Sequence, residues 1–252
     1  MRTRVAALAG LVILETTCSA LAQEAPRAAG AGSGSSAPAA SGTDFSSAGT
    51  VVLGAERLFG LFFYQGVSSY EDYDFTENGV LFNLLFSSGT GHFDVYAFPR
   101  AGFDVFATDH FSVGLAAGYS LSAGEMETTH GDLSSDRNMT TYHMVSLTPR
   151  AGGALMFNDA VGFWGRGGLS YSAIAMVPDS GSSTTVHLLA VNLEALLVLC
   201  PVAHFAITLG PVADIGFFGK STHEDSGTPS PYDDIALRIT NLGLAVGLGG
   251  WL

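Results

Sequence analysis

From Phe111 to Ser122 the chain alternates without a break. Phe111, Val113, Leu115, Ala117, Tyr119 and Leu121 are apolar, and Ser112, Gly114, Ala116, Gly118, Ser120 and Ser122 between them are small or polar. A period of two sends the two sets to opposite faces of a β-strand and fits no helical stripe. The same test marks eight strands, at about 50–64, 92–107, 111–123, 141–157, 161–176, 186–200, 204–218 and 235–251. Most are more than twice as long as the roughly 5–6 residues usual in soluble sheets. A tilted membrane strand needs about 9–11 residues in the hydrocarbon, so these are long enough to cross.

The connections alternate as well. Thr108-Asp109-His110, Asn158-Asp159-Ala160 and Pro201-Val202-Ala203 are short, whereas 65–91, 124–140, 177–185 and 219–234 are long and polar. Short turns at one end and long loops at the other are the layout of a bacterial outer-membrane barrel. The expected fold is therefore all-β: an eight-stranded antiparallel up-and-down transmembrane β-barrel, with both termini at the short-turn end. Pro99-Arg-Ala-Gly102 recurs as Pro149-Arg-Ala-Gly152, and prolines in such strands are expected at bulges or near a rim.

Composition excludes the competing classes. Only 13% of residues are charged, about half of the roughly 25% usual in soluble domains. Acidic residues outnumber basic ones 23 to 10, a balance that repels phosphate backbones and argues against nucleic-acid binding. A mean hydropathy of +0.33 is too high for a disordered chain. No apolar run reaches the roughly 18–20 residues of a spanning helix. The remaining rival is a soluble lipocalin-like barrel, which requires an apolar interior and a polar exterior.

Met1-Arg2-Thr3-Arg4, the apolar run Val5–Leu14 and Ser19-Ala20-Leu21-Ala22 have the order of a secretory signal peptide cut after Ala22. Three regions are expected: a signal peptide at 1–22, a disordered Ala/Gly/Ser/Pro-rich leader at 23–48 and the barrel at 49–252. Export delivers such a chain to the outer membrane of a Gram-negative envelope. Cys200 is the one cysteine of the exported chain, so it forms no internal disulfide.

With the apolar register on lipid, the other register faces the lumen. That parity turns Glu56, Arg100, Asp104, Arg150, Arg166, Glu194, Asp214 and Arg238 inward as a charge network with a structural or gating role. Arg57 is left facing out, snorkelling at the rim, and the last strand needs a bulge between Ile239 and Leu242 for Arg238 to point in. A charge facing lipid at mid-depth costs roughly 2–4 kcal/mol, which favours this register. Trp164 and Phe98 fall in the lumen register. Phe62, Phe63, Tyr64, Tyr119, Tyr171 and Trp251 read as interfacial belt residues. The histidines at 92, 110, 130, 143, 187, 204 and 223 show no ligand spacing. Glu71, Asp72, Asp74, Glu77, Asp225, Asp233 and Asp234 lack the spacing of a calcium loop, so no metal and no cofactor is expected. His143 and His187 lean outward without a partner serine, and no catalytic motif is present.

The signal peptide, the dyad alternation and the loop asymmetry over 50–252 resemble the small eight-stranded outer-membrane barrels of the OmpA/OmpX-like type. Glu56-Arg-Leu-Phe-Gly60, Pro149-Arg-Ala-Gly152 and His204-Phe-Ala-Ile-Thr-Leu-Gly-Pro211 are similar to uncharacterised envelope barrels of myxobacteria-like organisms. The terminal Gly249-Gly250-Trp251-Leu252 has its aromatic one residue off the usual final position. The resemblance implies a monomer with a structural or surface-interaction role. Its partners would be outer-membrane lipid, the barrel-assembly machinery and an extracellular ligand met through the loops. The alternatives are a narrow pore and a lipid-modifying enzyme.

Overall fold

The computed structural model describes residues 45–70, 73–85, 94–123, 125–130, 133–138, 140–178, 183–224 and 235–252. The expected signal peptide at 1–22 and the expected leader up to residue 44 lie outside them. Eleven strands are present: β1 (Val51–Tyr70), β2 (Tyr73–Leu84), β3 (Arg100–Thr108), β4 (Phe111–Ser122), β5 (Glu125–His130), β6 (Leu133–Asn138), β7 (Thr141–Asn158), β8 (Val161–Val177), β9 (Ser183–Val202), β10 (Phe205–Glu224) and β11 (Ala236–Trp251). Eight of them, β1, β3, β4 and β7 to β11, form a ring of neighbours that closes through β11 and β1. All these pairings are antiparallel. Closure pairs the edge strands that an open sheet would leave exposed.

The short connections Thr108–Phe111, Asn158–Val161 and Val202–Phe205 fall at one end, with Val51 and Trp251. His110 and His204 adopt positive φ of 83° and 63° in two of these turns. In the third, the Asn158 side-chain oxygen accepts the backbone N–H of Ala160 and Val161 at 2.9 Å each. Two of the expected long loops carry strands. In 65–91, β1 continues to Tyr70 and β2 pairs back on it from Phe59↔Leu84 to Tyr70↔Tyr73. Its run Val80-Leu-Phe-Asn-Leu84 alternates, with Asn83 buried and Val80, Phe82 and Leu84 exposed. In 124–140, β5 and β6 form a separate hairpin.

β1 changes partner along its length. Val51–Glu56 pairs with β3, and Phe59–Tyr70 pairs with β2. At Val95–Phe98 the chain lies inside the wall, so the strand expected at 92–107 begins at Arg100 instead. Its first part is a 3-10 turn, Asp94–Tyr96. The reason lies in Val95-Tyr96-Ala97-Phe98, which is apolar at both parities and has no face to give to water. All four residues are buried. Val95, Tyr96 and Phe98 pack with Met144, Ile174, Val186, Leu188 and Ile239, which point inward from β7, β8, β9 and β11.

The short-turn end is closed by a second apolar layer. Phe45, the one large apolar residue of the expected leader, is 2% exposed. It meets Phe106, Trp164 and Trp251 edge-on, with ring centroids 5.7, 5.4 and 5.4 Å away. Backbone bonds from Gly49 N–H to Phe106 C=O (2.8 Å) and from His110 N–H to Ser46 C=O (3.0 Å) tie this segment across the mouth. The last residues assigned to the leader, Phe45–Ala48, are thus held against the barrel.

Candidate functional site

Between the two apolar layers lies a belt of charge. Arg57, Arg100, Arg150 and Arg166 face Glu56, Asp104, Glu194 and Asp214, and every one is buried. Arg150 is the hub. It holds Glu56 with two bonds of 2.7 Å and Asp104 with bonds of 3.0 and 2.5 Å. Such paired, charge-assisted contacts are the strongest geometry open to arginine. Arg166 bridges Glu56 at 2.8 Å and Glu194 at 2.5 Å, with its guanidinium 4.3 Å above the Trp164 ring centroid. Arg100 reaches Glu194 at 2.6 Å and Glu56 at 3.2 Å. Arg57 binds Asp214 at 2.7 Å and Glu194 at 3.4 Å and donates to the Tyr96 carbonyl. Asn192 donates to Asp214 at 2.8 Å. Four guanidinium groups against four carboxylates leave the belt neutral, which burial in a narrow lumen demands.

Two placements differ from the parity reading. Arg57 is inside, because it sits at φ 55° in a register shift between Ala55 and Phe59. That shift lets two consecutive residues, Glu56 and Arg57, point inward. Arg238 is outside and exposed. β11 keeps one phase: Ile239 and Asn241 are buried while Leu242 and Leu244 are exposed. No bulge stands between Ile239 and Leu242, so the even-numbered Arg238 shares the lipid side. The bulge lies in β10 instead, between Gly216 and Phe218. Arg57 therefore occupies the place expected for Arg238, and the charge balance is kept.

The aromatic assignments divide as well. Trp164 and Phe98 fill the lumen, and Phe62 and Trp251 are also buried rather than interfacial. Phe63, Tyr119 and Tyr171 are 55%, 61% and 40% exposed on the outer face. Asp74 and Glu77 lie on opposite faces of β2, and Glu77 accepts from the Tyr64 hydroxyl at 3.0 Å. Glu71, Asp72, Asp225, Asp233, Asp234 and His92 lie outside the described residues.

Among the described residues the belt is packed closely at the short-turn end. A void of about 20 Å³ separates Phe45 from Glu56, Asp104 and Arg166, room for about one water molecule. Outside, the pattern is reversed. On β9 the outward positions Leu199, Leu197, Ala195, Leu193, Val191 and Leu189 are apolar, while Asn192 and Glu194 between them are buried. Ten residue steps at about 3.3 Å span roughly 33 Å of strand, or about 25 Å along the axis at a tilt near 40°. That matches the roughly 25 Å apolar band of membrane barrels. A soluble lipocalin-like barrel would have its charges outside.

No family model matches the chain, and no curated protein matches it in sequence. Among solved structures, the outer membrane protein OprG from Pseudomonas aeruginosa is 11% identical, with a TM-score of 0.47 over 82% of this chain and 97% of that chain. Neisserial surface protein A is 9% identical, with 0.40 over 81% and 97%. Ail, the attachment invasion locus protein of Yersinia pestis, is 12% identical, with 0.30 over 79% and 99%. Strand number, connection lengths and an apolar outside around a charged inside make this fold a small eight-stranded outer-membrane β-barrel of the OmpA/OmpX-like type.

Proposed function

We propose that the protein is a rigid outer-membrane scaffold that displays its long-loop end to the exterior, with a structural or surface-interaction role. The observation that carries this reading is the lumen: a neutral ion-pair belt sealed above by Val95–Phe98 and below by Phe45. Each of the eight charges is paired, with Arg150 making two bonds to each of Glu56 and Asp104, so the belt holds the wall in one register and leaves no row of unpaired charges for an ion to follow. The loops would then meet the partner, and the barrel would hold them in place.

The rival reading is a narrow pore through the same belt. Single-channel recording of the full-length protein in planar bilayers separates the two. The scaffold reading expects no stable conductance, and Arg150→Ala should create leak rather than abolish current. A steady wild-type conductance lost in Arg150→Ala would overturn it.

A further inference from the structure

The outer wall carries a second polar cluster, which the scaffold role does not use. Tyr171 on β8 and His187 on β9 are hydrogen-bonded, Oη to Nδ1, at 2.8 Å. His187 stands directly opposite Lys220 on β10. Lys220 is opposite Ala236 on β11, two residues along the same face from Arg238. The Phe218 bulge is what swings Lys220 onto the outer face, opposite His187. Cross-strand neighbours lie about 5 Å apart and diagonal ones about 7–8 Å, so the row Tyr171–His187–Lys220–Arg238 runs unbroken across four adjacent strands.

Its height on the wall is informative. On three of its four strands it sits where the apolar band ends toward the long loops, above Leu189 on β9, Phe218 on β10 and Leu242 on β11, whereas on β8 the outward Ala173, Ala175 and Val177 continue beyond Tyr171. The chain has ten Lys and Arg residues. Four are in the lumen belt, and Lys220 and Arg238 are the two on the described outer wall. Both therefore stand at one headgroup-level site, although the chain carries a net charge of −13. Register puts Asp74 on the Lys220–Ala236–Ser69 line, three strand spacings or about 14 Å from Lys220. The Tyr–His arrangement occurs twice: Tyr119 on β4 bonds His143 on β7 at 2.9 Å with the same diagonal offset. Tyrosine and histidine rings, apolar in body and polar at the tip, suit this depth.

We propose that the Tyr171–His187–Lys220–Arg238 row binds the phosphate of a phosphorylated lipid headgroup in the leaflet at the long-loop end. The two cations neutralise the phosphate, and the Tyr171 and His187 rings border it on the acyl side. Acyl chains from the same lipid lie on the apolar wall below, so the headgroup and its anchor are bound together. This inference rests on the membrane-embedded reading and is independent of what the loops bind.

The test uses full-length folded protein in nonionic detergent, titrated with bis-phosphorylated lipid A or with the same lipid stripped of both phosphates. Native mass spectrometry counts bound lipid. The wild type should retain the phosphorylated form preferentially. K220Q/R238Q should lose that preference by about 25-fold, at roughly fivefold per basic residue. Both substitutions lie on the outer wall, so the unboiled form of the variant should still migrate as a folded barrel. Equal binding of the two lipids by the wild type, or an unchanged preference in the double variant, would overturn the proposal. So would inorganic phosphate at millimolar concentration competing as well as the lipid, since it would assign the site to free anion. A wild type with no heat-dependent mobility shift would instead sink the membrane reading itself.

Discussion

Arg57 is 2% exposed, and its burial is tolerated because Asp214 and Glu194 face it. Removing one member of such a group strands the rest, at a cost of about 3–5 kcal/mol. Arg57→Met should therefore lower the urea midpoint of the vesicle-inserted barrel strongly, and adding Asp214→Asn should recover part of the loss. Arg238→Gln, on the outside, should change stability by less than about 0.5 kcal/mol. Equal shifts for the two arginine variants, read by tryptophan fluorescence, would contradict their placement. Glycines make room for the belt. A Cβ on Gly102 would stand 2.6 Å from Glu56 Oε1 and 2.9 Å from Arg150 Nη2, and one on Gly114 would stand 2.1 Å from Asp104 Oδ1. Gly102→Ala should cost about 1–3 kcal/mol, as overpacking does, in the same unfolding assay. Glu56 and Arg150 were legible because their parity is regular. Arg57 was not, because one positive φ breaks the parity count. A guanidinium left on the lipid face was nevertheless the visible sign of a bulge.

At the scale of elements, two short segments decide whether the lumen is open. One is Phe45–Thr50, strapped across the short-turn mouth by backbone bonds to Phe106 and His110. The chain has two tryptophans, and both touch Phe45. Phe45→Ala should cost up to about 3–5 kcal/mol and raise acrylamide quenching of Trp164 and Trp251 in the folded protein. Unchanged quenching would mean that Phe45 is no stopper. The other segment is Val95–Phe98, tied to the belt where Asn83 donates to the carbonyls of Arg57 (3.0 Å) and Ala97 (2.7 Å). Strand alternation located the strands of the ring, with ends shifted by a few residues at most sites. It did not locate these plugs, because a segment buried on every side has no period to read.

For the whole molecule, the apolar wall and the sealed lumen make one joint prediction. Trypsin added to the membrane-inserted protein should spare Arg57, Arg100, Arg150 and Arg166, all buried in the lumen. Boiled protein should be cut at all four, as mapped by peptide mass. Cleavage at Arg150 before boiling would mean that the barrel breathes or is not closed. The unboiled form should also run faster than the boiled form on a gel, because the closed ring keeps the chain compact until heat breaks its ladder.

What the chain determines by itself is whatever repeats. Period-two alternation, and turns that are short at one end and long at the other, are local properties, so they specify eight wall strands and which face meets lipid. The inward placement of Glu56, Arg100, Asp104, Arg150, Arg166, Glu194 and Asp214 follows from parity alone. The tertiary structure decided what depends on closing the ring. It set which guanidinium meets which carboxylate, that Arg57 rather than Arg238 completes the belt, and that Phe45 and Val95–Phe98 fill the two ends. The physical reason is that a closed lumen must be filled and electrically neutral, a condition on the sum of all eight strands that no single strand's pattern contains.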